Sequence, residues 1–78
     1  MALQRSKEKV ALGQAIRRAR QARNIGIREA AEMCHMDRGH LSRIENGWLE
    51  PPLRRLRKIA LVVGVPVPTL LSGRKRSA

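Results

Sequence analysis

The residues best placed to do chemistry in this chain lie between positions 38 and 46. If Leu41, Ile44 and Glu45 face inward on a helix, the opposite side carries Gly39, Ser42, Arg43 and Asn46 at i, i+3, i+4 and i+7. Arg38 and His40 lie on the first turn of the same stretch. That face holds no large apolar group. Small residues let a helix approach a flat polar edge closely, and Arg38 or Arg43 could donate two bonds to guanine O6 and N7 in a major groove. The same spacing also describes the solvated side of an ordinary bundle helix, so at this point both readings stand.

Other chemistries find less support. Cys34, His35 and His40 contain metal-binding atoms, but the adjacent pair cannot easily reach one ion and no fourth ligand stands at metal-site spacing. Cys34 reads as a buried reduced thiol and His35 as a turn residue. Asp37 and Glu45 do not make a catalytic dyad, because one reads as a helix cap and the other as a paired charge. No cofactor motif is present, and 78 residues leave little room for an enclosed pocket. The reading is of a protein that is not an enzyme and carries no cofactor.

Charge points to the partner. Lys and Arg number 17 against 6 Asp and Glu, a net charge of +11, and residues 51–78 contain no acidic residue at all. Such an excess favours a polyanion. No long apolar run or signal peptide is visible, so the chain is expected in the cytosol rather than at a membrane.

These residues need elements to hold them. Apolar spacing predicts helices throughout, in one domain over 7–72 between a loose arm (1–6) and a basic tail (73–78). Ser6 caps a first helix reaching about Asn24, with Leu12, Ile16, Ala19 and Arg20 on one stripe, and Ile25-Gly26 breaks it. A second helix spans about 27–34 and turns Ala30, Ala31 and Cys34 inward. Asp37 caps a third, from Arg38 to Glu45 or Asn46, and Gly47 follows it with positive φ. Pro51-Pro52 opens a fourth, with Leu53, Leu56, Ile59, Ala60 and Val63 inside and Gly64 as its stop. Val65-Pro66-Val67 leads into a one-turn helix holding Leu70 and Leu71, and Arg74-Lys75-Arg76 is read as tail.

Arg20 and Glu45 carry opposite charges on the inner stripes of their helices. Unpaired buried charges are very costly, so the two are expected to meet. Arg17, Arg18 and Arg23 on the first helix, and Arg54, Arg55, Arg57 and Lys58 on the fourth, read as solvated faces, with Arg54 or Arg55 within reach of a phosphate. Trp48, the sole aromatic residue, either covers the loop before Pro51 or packs on a sugar-phosphate backbone or a partner protein.

Residues 12–71 resemble the phage repressor and Cro family of helix-turn-helix proteins, also called XRE-type. The resemblance rests on Leu12-Gly13, Ile16-Arg17, Ala19-Arg20, Ala30-Ala31-Glu32, Leu41-Ser42-Arg43-Ile44-Glu45-Asn46-Gly47, Pro51, Leu53, Leu56, Ile59-Ala60, Gly64-Val65 and Leu70-Leu71, in register without a gap. It implies an all-α, compact five-helix bundle that binds a pseudo-palindromic operator in double-stranded DNA as a homodimer and represses transcription. Arg38, Gly39, His40 and Arg43 then fall where bases are read, and Ser42 joins them as a residue of the same outer face. Ile27, Arg28, Asn46, Gly47 and Trp48 fall where phosphates are held, and Arg54 joins them because the start of the fourth helix lies near the backbone once the third is in the groove. The same Arg20–Glu45 pair is implied. Val62, Val65, Val67, Leu70 and Leu71 are the expected dimer surface. An antitoxin that binds a toxin protein and represses its own operon, or a restriction-modification controller, would share these features. The chain departs from the family at Ile27, where Gln is common, at His35, where Gly is common, and at Ala30, where Leu is customary.

Overall fold

The computed structural model describes residues 5–75, side chains through Ser72, and over them the chain folds into five helices. They are α1 (Lys7–Ala22), α2 (Ile27–Met33), α3 (Arg38–Glu45), α4 (Leu53–Val63) and α5 (Val67–Lys75). Each boundary has a local cause. The Ser6 side chain accepts a hydrogen bond from the Lys9 amide at 3.1 Å and starts α1. Asp37 does the same for the Gly39 amide at 2.9 Å and starts α3. Gly47 (φ 84°) and Gly64 (φ 78°) turn the chain away after α3 and α4 in the left-handed region that a side chain disfavours.

The first break lies one residue earlier than the Ile25-Gly26 pair predicts. Asn24 takes the left-handed conformation (φ 57°), as Asn does more readily than most residues, whereas Gly26 has φ −71° and merely precedes α2. His35 also sits at φ 57°, in the turn between α2 and α3.

Leu12 and Ile16 of α1, Ala30 and Ala31 of α2, Leu41 and Ile44 of α3, Leu56, Ile59 and Val63 of α4, and Leu70 of α5 close one core. Within it α1 and α3 approach closely at Gly13. A Cβ added to Gly13 would fall on the carbonyl oxygens of Ile44 and Glu45, so glycine here lets the two backbones touch.

Three expectations need correction. Leu53 is half-exposed rather than part of the α4 stripe, because it is the first residue of that helix and projects beyond the neighbouring helices. The last helix is not a single turn: α5 runs nine residues and takes in Arg74 and Lys75, so only residues 76–78 of the tail lie outside the described part. Val62 and Leu70 are buried within the chain, Leu70 at 1% exposure, and cannot serve as an open dimer surface. They fill the space where α4 and α5 pack back on the core, with α5 lying chiefly against α1.

Candidate nucleic-acid interface

The face of α3 opposite the core is open along its length. Arg38 and Arg43 are exposed, Gly39, His40 and Ser42 are half-buried, and no large apolar side chain intervenes. Arg38, His40 and Arg43 make no side-chain hydrogen bond or ion pair within the described chain. Their donors are therefore available to something outside it. Arg43 reaches back alongside Gly39, and a Cβ at position 39 would stand 3.7 Å from its Nη1.

Behind that face sits a charged cluster. The Glu45 carboxylate is wholly buried and accepts from Arg20 Nε at 2.7 Å, Arg20 Nη2 at 2.9 Å and Arg17 Nε at 3.3 Å. Arg20 uses its remaining group, Nη1, on the Ile25 carbonyl at 2.9 Å, which ties the loop after α1 to the end of α3. The bond to Glu45 raises the pKa of Arg20 above its ordinary value, against the opposing effect of burial. Among the described residues no buried side-chain nitrogen or oxygen lacks a partner. A buried charge left single would be very costly, and this one is fully neutralised.

Arg17 belongs to the cluster rather than to a solvated run. It stands one turn before Arg20, so both guanidinium groups reach the same carboxylate. Arg17 Nη2 also donates to Asn46 Oδ1 at 2.9 Å, while Asn46 Nδ2 donates to the Ser42 carbonyl at 2.9 Å. Sequence spacing alone could have paired Arg17 with the inner stripe, three residues from Arg20. The crossing of α1 over the end of α3 is what decides it.

The remaining phosphate-side candidates are scattered over three places. Ile27 packs its side chain against the core, which leaves Arg28 as the exposed side chain at the start of α2. Gly47 is buried and Trp48 is 38% exposed, with the guanidinium carbon of Arg5 over its ring at 5.1 Å. That contact lies in the range of a cation–π interaction and holds the end of the N-terminal arm beside the α3 exit. Arg54 and Arg55 are exposed on α4 and, with Lys58, line a basic cavity of about 630 Å³ beside Cys34 and His35. Cys34 itself is buried; desolvation pushes its thiol up, and the nearby Lys58 and Arg55 charges pull it partly back. No three of His, Cys, Asp and Glu gather as a metal site among the described residues.

Residues 16–70, which include α2, the turn and α3, match the model of the HTH_3 helix-turn-helix family. The chain belongs to the HTH_3 helix-turn-helix family. Solved structures agree. The master regulator of biofilm formation SinR, solved in complex with DNA, is 33% identical, with 77% of this chain and 97% of the chain in that structure covered and a TM-score of 0.72. The clp gene regulator ClgR from C. glutamicum is 27% identical over 94% of both chains, with a TM-score of 0.83. The restriction-modification controller C.AhdI from Aeromonas hydrophila shares the fold at 23% identity, with 83% of this chain and 98% of that one covered and a TM-score of 0.79. Among curated proteins none matches the chain in sequence. Within the helix-turn-helix family the second helix of the motif is α3, and here its outer side is the polar face of residues 38–46.

Proposed function

We propose that this helix-turn-helix protein is a transcriptional repressor that occupies a pseudo-palindromic operator in double-stranded DNA as a homodimer. Membership of the family makes it a DNA-binding regulator of transcription; the repressor role and the dimer are the further reading. The observation that carries it is the state of α3. Arg38, Gly39, His40, Ser42 and Arg43 stand on one uncommitted face, while the opposite face is clamped to α1 through Glu45. A helix held this way is rigid enough to enter a major groove, and its small central residues let Arg38 and Arg43 reach base edges. Arg28 and Arg54 take phosphates on either side. Repression follows by occupancy: a bound dimer excludes polymerase from the cytoplasmic DNA it covers.

The proposed dimer surface lies on the apolar side chains that stay open. With Val62 and Leu70 used by the core, the open apolar side is Leu61, 80% exposed, beside a groove of about 470 Å³ lined by Arg57, Val65, Pro66 and Val67. Leu71 lies half-buried nearby on α5. The molecule measures 32 × 28 × 21 Å, and the reading requires that two copies present their α3 helices about one turn of DNA apart, about 34 Å.

Selection from random duplexes at moderate ionic strength tests the reading. It should enrich one site whose halves are related by a two-fold axis, and enrichment of nothing would defeat it. Leu61→Glu should leave the fold intact, abolish the dimer seen by light scattering on that DNA, and weaken binding at least tenfold.

A further inference from the structure

We infer that Arg17 is a phosphate-binding residue of this interface and that Asn46 acts through it, as a positioning residue without a DNA contact of its own. The inference rests on the DNA-binding reading above and deepens it. Asn46 stands at the exit of α3, where its exposed amide invites assignment as a phosphate donor. Its hydrogen-bonding groups are already committed, however: Nδ2 donates to the Ser42 carbonyl at 2.9 Å and lies 3.4 Å from Ser42 Oγ, and Oδ1 accepts from Arg17 Nη2 at 2.9 Å. To bind a phosphate, Asn46 would have to abandon one of these bonds.

Arg17 is in the opposite position. Its guanidinium has five N–H donors, of which Nε is directed to Glu45 Oε1 and one Nη2 proton to Asn46. The Nη1 pair and the second Nη2 proton have no partner among the described residues. The side chain is 41% exposed, while the carboxylate that anchors it is fully buried. The group is thus fixed from behind and open in front, as a pre-organised anion site requires.

Its place fits a phosphate. The eight residues of α3 span about 12 Å, which is about the width of the major groove. With the first turn of α3 at the base edges, the far end carrying Asn46 and Arg17 lies at the rim, where the sugar-phosphate strand runs. The C-terminal end of a helix is negative and would repel that strand. A fixed guanidinium there reverses the local sign, and Arg5 stacked on Trp48 adds a second cation at the same end.

The test measures binding to sheared mixed-sequence duplex DNA, and to the site enriched above, across a salt series. Arg17→Ala should weaken binding to both about equally, by about tenfold per protomer. It should also flatten the slope of log K against log salt by about one per protomer. Arg17→Lys keeps the charge and should keep the slope. Asn46→Ala should weaken binding in the parent protein but change nothing once Arg17 is Ala. An unchanged slope in Arg17→Ala, or an Asn46→Ala loss that persists in that background, overturns the inference. Failure of the parent protein to bind duplex DNA at all overturns the function reading with it, whereas a retained site preference lost only in Arg43→Ala leaves that reading standing.

Discussion

The two sides of α3 differ in how their polar groups are used. Inward and toward its exit, Glu45 and Asn46 are saturated: six side-chain hydrogen bonds to or from Arg17, Arg20 and Ser42 tie them to α1 and to their own helix. Outward and toward its start, the side chains of Arg38, His40 and Arg43 have no hydrogen-bond or ion-pair partner among the described residues, and Gly39 has no side chain. One helix therefore carries a structural side and a vacant side barely 10 Å apart, the diameter of a helix. Stability and recognition are thereby separable, since substitutions on one side should act on folding and on the other on binding.

The largest expected effect lies on the structural side. Glu45→Gln leaves Arg20, 9% exposed, without a counter-charge and should cost about 3 kcal/mol of stability in urea unfolding followed by Trp48 fluorescence. Replacing both partners, Arg20→Met with Glu45→Leu, should recover much of that loss, because no charge is left behind. If Glu45→Gln cost under 0.5 kcal/mol, the partition of α3 would be wrong. Next comes Gly13→Ala, whose new methyl falls on the Ile44 and Glu45 carbonyls. Those are backbone atoms and cannot swing aside, so α1 and α3 must separate, at about 1–3 kcal/mol.

On the vacant side the sign of the experiment reverses. Arg43→Ala should leave the unfolding midpoint unchanged within about 0.5 kcal/mol. Binding to the preferred site should lose about 1–3 kcal/mol, with preference relaxed at one base position. A stability loss from Arg43→Ala comparable to that of Glu45→Gln would erase the distinction.

How much of this was legible before the structure follows the same division. Features with a local cause were readable: Ser6 and Asp37 as caps, Gly47 as a left-handed exit, Gly64 as a helix stop, and the inner stripes of α1 and α3. Arg20 and Glu45 stood out because each is a charge in an apolar stripe. Features set by how helices cross were not. Arg17 is exposed on a lone helix and joins the cluster only because α1 crosses the end of α3. Leu53 shares a stripe with Leu56 in the sequence, but its neighbours, not its type, leave it open. The length of α5 was hidden because a run of Pro68, Thr69, Ser72 and Gly73 carries weak helical preference, and packing against α1 overrides it.

The smallest effect concerns the turn that leads into the vacant side. His35 holds φ 57°, a conformation that costs an L-residue about 1–2 kcal/mol relative to the right-handed region. His35→Gly removes that strain but gives the unfolded chain more freedom to lose on folding, which takes back about 0.5–1 kcal/mol. The balance should favour the folded state by about 0.5 kcal/mol, a rise of a few degrees in thermal midpoint for a chain of this size. His35 is exposed and its imidazole makes no hydrogen bond in the described chain, so no lost contact offsets the gain. Binding should be unchanged, because the Asp37 cap, and not His35, fixes the first turn of α3. A destabilised His35→Gly protein, or one that binds its preferred site tenfold more weakly, would mean that the turn is a working part of the recognition face. The boundary between the two sides of α3 would then have to be drawn earlier in the chain, before Met36.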